Sequence, residues 1–189
     1  MQSYLATPLE FLVTTLFDLY ITVVMLRFIL QQVRADFYNP ISQFIVKVTN
    51  PPLIPLRRII PGWGGIDIAS IVLMLVLQSI AFTLLLLIRG MELGPLVIIN
   101  LAFAELVSMA FSIFIFAIII QVIISWINPA GHYNPVGAVL RSLTEPMLRP
   151  ARRYIPPISG IDLSPLAALM VLQLLKMLIV PLLRSLSMA

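Results

Sequence analysis

The chain has 189 residues, of which 60% are hydrophobic and 11% charged, with a net charge of +4 and no cysteine. Soluble domains carry about 25% charged residues, so the composition argues against a water-soluble globule; the lack of cysteine excludes disulfides, thiolate nucleophiles and thiolate metal sites. The positive balance does not point to nucleic acid, because the Lys and Arg side chains concentrate beside long apolar runs.

The first run, Leu9 to Leu30, carries only Glu10, Asp18 and Arg27. It is close to the ~20 residues that cross a hydrocarbon core and predicts a span at about 9–31. No basic cluster precedes it and no small-residue cleavage site follows before Gln31-Gln32, so it is expected to be a retained span and not a cleaved signal.

Asn39-Pro40 then predicts a helix start. An Asn side chain caps free backbone amides, and Pro fits the first helical position, where no donor is needed. Ile41, Phe44, Ile45 and Val48 follow at helical spacing, with Ser42, Gln43, Lys47 and Thr49 largely elsewhere. Such an amphipathic helix is expected to lie in the membrane interface; the alternative is a lid packed on the spans. Pro51, Pro52, Pro55 and Pro61 are expected to prevent one long helix, leaving Arg57-Arg58 on a short turn or helix near the surface. Gly65-Ile66-Asp67 reads as a tight turn and a helix cap, with Asp67 alternatively a partner for the arginines or a cation ligand.

Ile68 to Ile88 carries no charge and predicts a second span at about 67–89. After a short linker from Arg89 to Pro95, Ala102 to Ile127 carries only Glu105 and predicts a third span at about 103–127. The apolar stretch already starts at Leu96, so the part up to Asn100 is either an interfacial turn or the start of a longer, tilted helix. Asn134-Pro135, the segment with Pro146, Pro150 and Pro156, and Gly160-Ile161-Asp162 lead to a fourth span at about 162–184.

The second half restates the first at a constant offset of 95: residues 38–67 and 133–162 are identical at 14 of 30 positions. So long a period suits a duplicated half-protein, not a solenoid. The predicted organisation is one repeat over 1–92 and a second over 93–189, each a helix, an interrupted loop of about 35 residues with an amphipathic helix, and a second helix. The fold class is therefore all-α and polytopic, with four transmembrane helices as two parallel two-helix repeats. A two-fold-like basic surface is expected on the loop side.

The loops hold Arg34, Lys47, Arg57, Arg58, Arg141, Arg149, Arg152 and Arg153, against Arg89 and Arg184 opposite. The positive-inside rule puts the loops in the cytoplasm and the termini outside. Arg stays charged and binds phosphate bidentately, so Arg57, Arg58, Arg149, Arg152, Arg153 and Lys47 are candidates for anionic lipid headgroups or a partner protein. Topology signalling and pairing with Asp67 or Asp162 is the plainer alternative.

Charges within spans usually face a partner or a cavity. With a rise of ~1.5 Å per residue, Asp18 and Lys176 both fall about 20 Å from the loop side, and an ion pair between the first and fourth spans is expected. Glu10 and Glu105 are expected to be wet, Arg27 to snorkel, and Gln78 and Gln173 to bond between helices. No catalytic constellation is present: His132 is the one histidine, and Gly62-Trp63-Gly64-Gly65 lacks the lysine and strand of a phosphate loop. No enzyme activity, cofactor or metal is expected.

Asp36-Phe37-Tyr38-Asn39-Pro40, the Pro-x-x-x-Pro-x-Arg-Arg-x-x-Pro core (Pro51 to Pro61, Pro146 to Pro156) and Gly-Ile-Asp resemble the YggT family of bacterial integral membrane proteins, also called the YlmG family. The resemblance covers nearly the whole chain, two-copy organisation included. It implies the bacterial inner membrane, with osmotic and potassium-related phenotypes, cell division or nucleoid organisation, and cytochrome complex assembly in plastid relatives, but no shared biochemical activity. Two functions are expected from the residues and the resemblance together. One is a non-catalytic scaffold or assembly factor whose basic loops bind anionic lipid or a membrane or cytoplasmic protein partner. The alternative is an ion channel or transporter component, which four helices with scattered polar groups could form only as a homo-oligomer.

Overall fold

A computed structural model describes residues 6–127, 134–155 and 162–186. These residues form six α-helices: α1 (Ala6–Gln32), α2 (Pro40–Ile59), α3 (Ile68–Arg89), α4 (Pro95–Ile127), α5 (Pro135–Tyr154) and α6 (Ser164–Ser185). Helices α1, α3, α4 and α6 are long and apolar enough to cross a membrane. The protein is an all-α polytopic membrane protein. Only a small share of each of these helices is buried within the monomer, as expected of surfaces that face lipid.

Local chemistry sets the helix ends. The side chain of Asn39 accepts the Ile41 amide at 2.9 Å, and Asn134 accepts the Val136 amide at 2.9 Å, with Pro40 and Pro135 at the first helical positions. Helix α1 stops in a Schellman-type cap: the Arg34 and Ala35 amides return to the carbonyls of Gln31 and Leu30 while Arg34 adopts φ 52°. Gly90, at φ 65°, ends α3. Before α3, Trp63 and Ile66 exchange backbone bonds of 3.1 and 3.0 Å around Gly64 and Gly65, both at positive φ, the backbone of a tight two-residue hairpin. The second copies of that turn, Pro156 and Gly160-Ile161, and His132 lie outside the described residues.

One expectation is corrected, and one pair of alternatives is decided. The prolines do not divide the loop helices: α2 runs through Pro51, Pro52 and Pro55, and α5 through Pro146 and Pro150, for 20 residues each. A proline inside a helix costs ~3 kcal/mol, and packing offsets it here. Ser42, Ile45, Thr49 and Leu53 bury one face of α2, and Leu148 and Thr144 repeat the burial of Leu53 and Thr49 in α5. The third span is one helix of 33 residues starting at Pro95. At ~1.5 Å per residue it is ~50 Å long, more than the ~30 Å core, so it projects beyond the bilayer or tilts.

Within each repeat the spanning helices pack together, α1 on α3 and α4 on α6, with α2 against α1 and α3, and α5 against α4 and α6. Between repeats, α3 packs on α4, α5 on α1 and α2, and α1 on α4. A two-fold axis would also require α6 on α1 and α2 on α4, and neither pair is in contact. The halves are thus parallel but joined head to tail, a heterologous arrangement and not the two-fold surface expected. One core crosses the junction, joining Ile21, Val24, Leu30 and Met74 to Leu106, Ala117, Leu140 and Leu143.

Candidate functional site

The loop-side surface is built from α2, α5 and the residues leading into α3 and α6. In the first repeat Arg57, in the last turn of α2, grips Asp67 from two atoms, Nη2 to Oδ2 at 2.5 Å and Nε to Oδ1 at 3.3 Å. The Ser70 hydroxyl donates to the same carboxylate. Burial pushes the Asp67 carboxyl up, but the bonds from Arg57 and Ser70 outweigh it and hold it below its ordinary value. Asp67 makes no side-chain cap to α3, so its role is the arginine partner and not the expected cap.

The second repeat reproduces the clamp in a wetter form. Arg152 Nε donates to Asp162 at 3.0 Å and Nη1 reaches Glu145 at 3.4 Å. Asp162 also accepts the amide of Ser164, the first residue of α6, at 2.9 Å. Burial raises the Asp162 carboxyl, and the bonds from Ser164 and Arg152 reverse this to a net lowering. The Asp162 side chain is 37% exposed against 5% for Asp67.

The clamps divide the candidate cations. Arg57 and Arg152 are held by carboxylates. Lys47, Arg58, Arg149 and Arg153, together with Arg34 and Arg141, are exposed, and their side chains make no hydrogen bond or ion pair with the described residues. Exposed aromatic rings accompany them: Trp63, Trp126 and Tyr154 are 83%, 79% and 85% exposed. Aromatic rings of this kind concentrate at membrane–water interfaces. The two loop helices are tied together by Asn39, whose Nδ2 donates to the Pro135 carbonyl at 2.8 Å. Pro40 and Pro135 start these helices, Pro55 and Pro150 lie within them, and Pro61 is an exposed residue before the hairpin.

Arg27 does not snorkel. It is 6% exposed and reaches from α1 into α2, donating from Nη1 to Thr49 Oγ1 at 2.7 Å, Asn50 Oδ1 at 2.8 Å and the Val46 carbonyl at 3.3 Å. At its counterpart position stands Val122, and the buried Thr144 bonds instead to Gln121. The sequence signal was the Thr present in both copies, which marks an inward polar position in each loop helix.

The expected Asp18–Lys176 ion pair is not formed. Helix α6 packs on α4 and α5 and has no contact with α1, so equal depth does not bring the two groups together. Lys176 Nζ donates instead to Ser112 Oγ of α4 at 2.7 Å. Ion pairs that sequence reasoning missed lie nearer the other surface: Arg89 to Glu10 at 2.8 Å and Arg184 to Glu105 at 2.7 Å. Both members of each pair recur at the offset of 95, which was the available signal. Gln78 is buried with its carbonyl oxygen unpaired among the described residues, while Gln173 is exposed.

Four membrane-length helices in two matching halves, each closed by an Arg–Asp clamp, define a duplicated polytopic membrane protein. The CCB3/YggT family model matches residues 6–88 and 100–183, and the chain belongs to that family. It is 45% identical to the uncharacterized protein PA0392 of Pseudomonas aeruginosa, over 93% of this chain and 90% of the relative. It is 45% identical to an uncharacterized Vibrio alginolyticus protein from the proC 3′ region, over 87% and 89%, and 37% identical to Escherichia coli YggT, over 89% and 87%. No solved structure matches the chain. Neither the family description nor these relatives' names specify a catalytic activity.

Proposed function

We propose that this protein is a non-catalytic scaffold or assembly factor of the bacterial inner membrane, with its loops cytoplasmic and its termini outside. Its basic surface binds anionic lipid headgroups and, through the same charges, a partner protein. The observation that carries the reading is the division of the cations: Lys47, Arg58, Arg149 and Arg153 project unpaired, whereas Arg57 and Arg152 are held in place by their aspartates. Each free cation near an anionic surface contributes about 1 kcal/mol. Helices α2 and α5 lie in the interface with their buried faces on the spans. The polar groups Gln121 and Lys176 are spent on Thr144 and Ser112, which favours a scaffold over a pore. The resemblance to the YggT family links such a role to osmotic and ion homeostasis or to envelope and division processes.

The two tryptophans, Trp63 and Trp126, are both exposed on the loop side and report on the lipids there. In mixed liposomes a brominated anionic lipid should quench them more than a brominated phosphatidylcholine. Changing Lys47, Arg58, Arg149 and Arg153 together to Gln should abolish that preference. Equal quenching of the unaltered protein by the two lipids would overturn the reading. Ion flux in proteoliposomes that the Gln variant leaves unchanged would favour the oligomeric channel instead.

A further inference from the structure

The two repeats differ where α1 and α4 approach their loop helices. In the first repeat Val24, Leu30 and Met74 are 0%, 1% and 2% exposed and belong to the shared core. Their counterparts Ile119, Ser125 and Leu169 instead line a cleft of about 790 Å³ between α4, α5 and α6. Ligand sites commonly span ~300–1,000 Å³. Ile119, Ile123 and Leu166 form an exposed apolar wall, and Gln121, Arg152 and Asp162 contribute polar groups. Trp126 also lines the cleft.

The electrostatics of this place are inverted relative to the first repeat. Arg27 has become Val122, removing a cation, and Asn50 has become Glu145, adding an acid. Arg152 therefore stands alone between two carboxylates, Asp162 at 3.0 Å and Glu145 at 3.4 Å. The first repeat has two arginines, Arg27 and Arg57, around Asp67 and the neutral Asn50. An added anion is disfavoured beside two acids. A group that brings its own cation is favoured, and Arg152 can meet a phosphate on the same molecule.

We propose that the α4–α5–α6 cleft binds one zwitterionic aminophospholipid. Its ammonium sits against Asp162, with Glu145 behind Arg152 adding to the negative field, its phosphate meets Arg152, and an acyl chain follows Ile119, Ile123 and Leu166 into the bilayer. In the first repeat Val24, Leu30 and Met74 fill the corresponding apolar space, leaving beside Arg57 and Asp67 a smaller cavity of about 360 Å³ without an apolar wall for a chain. This goes beyond the anionic-lipid reading and uses none of Lys47, Arg58, Arg149 or Arg153.

The test is quantification of phospholipids retained by the full-length protein purified in detergent after exchange against equal phosphatidylethanolamine, phosphatidylcholine and phosphatidylglycerol. Phosphatidylethanolamine should be retained preferentially. Val122→Arg, which restores the cation of the first repeat and so offsets the negative field on the ammonium, should reduce retention about tenfold, the worth of one charge-assisted contact. Leu166→Trp, which fills the cleft from α6, should reduce it by excluding the acyl chain. Two independent variants guard against a folding defect in either. The Gln variant of the four exposed cations should retain phosphatidylethanolamine normally, so the two readings fail separately. Retention without headgroup preference, unchanged retention in both cleft variants, or a co-purifying protein helix in place of lipid would overturn the proposal.

Discussion

Arg27 of α1 donates to Thr49 of α2 at 2.7 Å, with both side chains buried. The contact fastens the first loop helix to the first span just before its run of prolines. Replacing Arg27 with Met should leave Thr49 and Asn50 with unmet bonding capacity and lower stability by about 1–3 kcal/mol. Val122→Met, at the counterpart position in the partly exposed cleft wall, should cost less than about 1 kcal/mol. Thermal unfolding in one detergent would compare the two; equal losses would show that Arg27 acts only through its bulk.

The two Arg–Asp clamps should differ in strength. A double-mutant cycle with Arg57→Gln and Asp67→Asn should give a coupling of about 1.5–3 kcal/mol, as for a charge-assisted bond to a buried carboxylate. The same cycle on Arg152 and Asp162 should give about 0.2–1 kcal/mol, because both side chains are more than a third exposed. Chemical denaturation in detergent, under conditions where unfolding is reversible, would supply both values.

The clamps also set an acid limit. Asp67 and Asp162 are held below their ordinary value of 3.8, so the folded state favours their charged forms. The resulting stabilisation is complete above the unfolded value and is lost as pH falls through the lower folded values. Melting temperature should therefore drop as pH is lowered beneath about 4, and Asp67→Asn should flatten that part of the profile. An unchanged acid limb in Asp67→Asn would refute its part in the effect.

Lys176 should couple to Ser112 and not to Asp18. Since α1 and α6 do not touch, the effects of Asp18→Asn and Lys176→Met on stability should add within about 0.5 kcal/mol. Ser112→Ala combined with Lys176→Met should be less damaging than the sum of the two single losses.

The outer pairs predict a smaller effect shared by both repeats. Glu10→Gln and Glu105→Gln each break a bond to an arginine that is at least half exposed, and each should lower the melting temperature less than Asp67→Asn does. The cost should shrink in high salt.

By itself the sequence determined the number of spans, the caps at Asn39 and Asn134, the two-copy plan and the family, because these follow from local composition and from identity at a fixed offset. It also exposed the candidates for the Arg–Asp clamps, since both partners recur in each copy. Tertiary structure alone decided which of those cations stay free, because pairing depends on how each loop helix lies against the start of the following span. It likewise let α2 and α5 run through their prolines, where packing outweighs helix propensity. Depth along a helix is readable from residue number, but azimuth and neighbour are not. That is why Asp18 and Lys176, level in the bilayer, belong to helices that never meet.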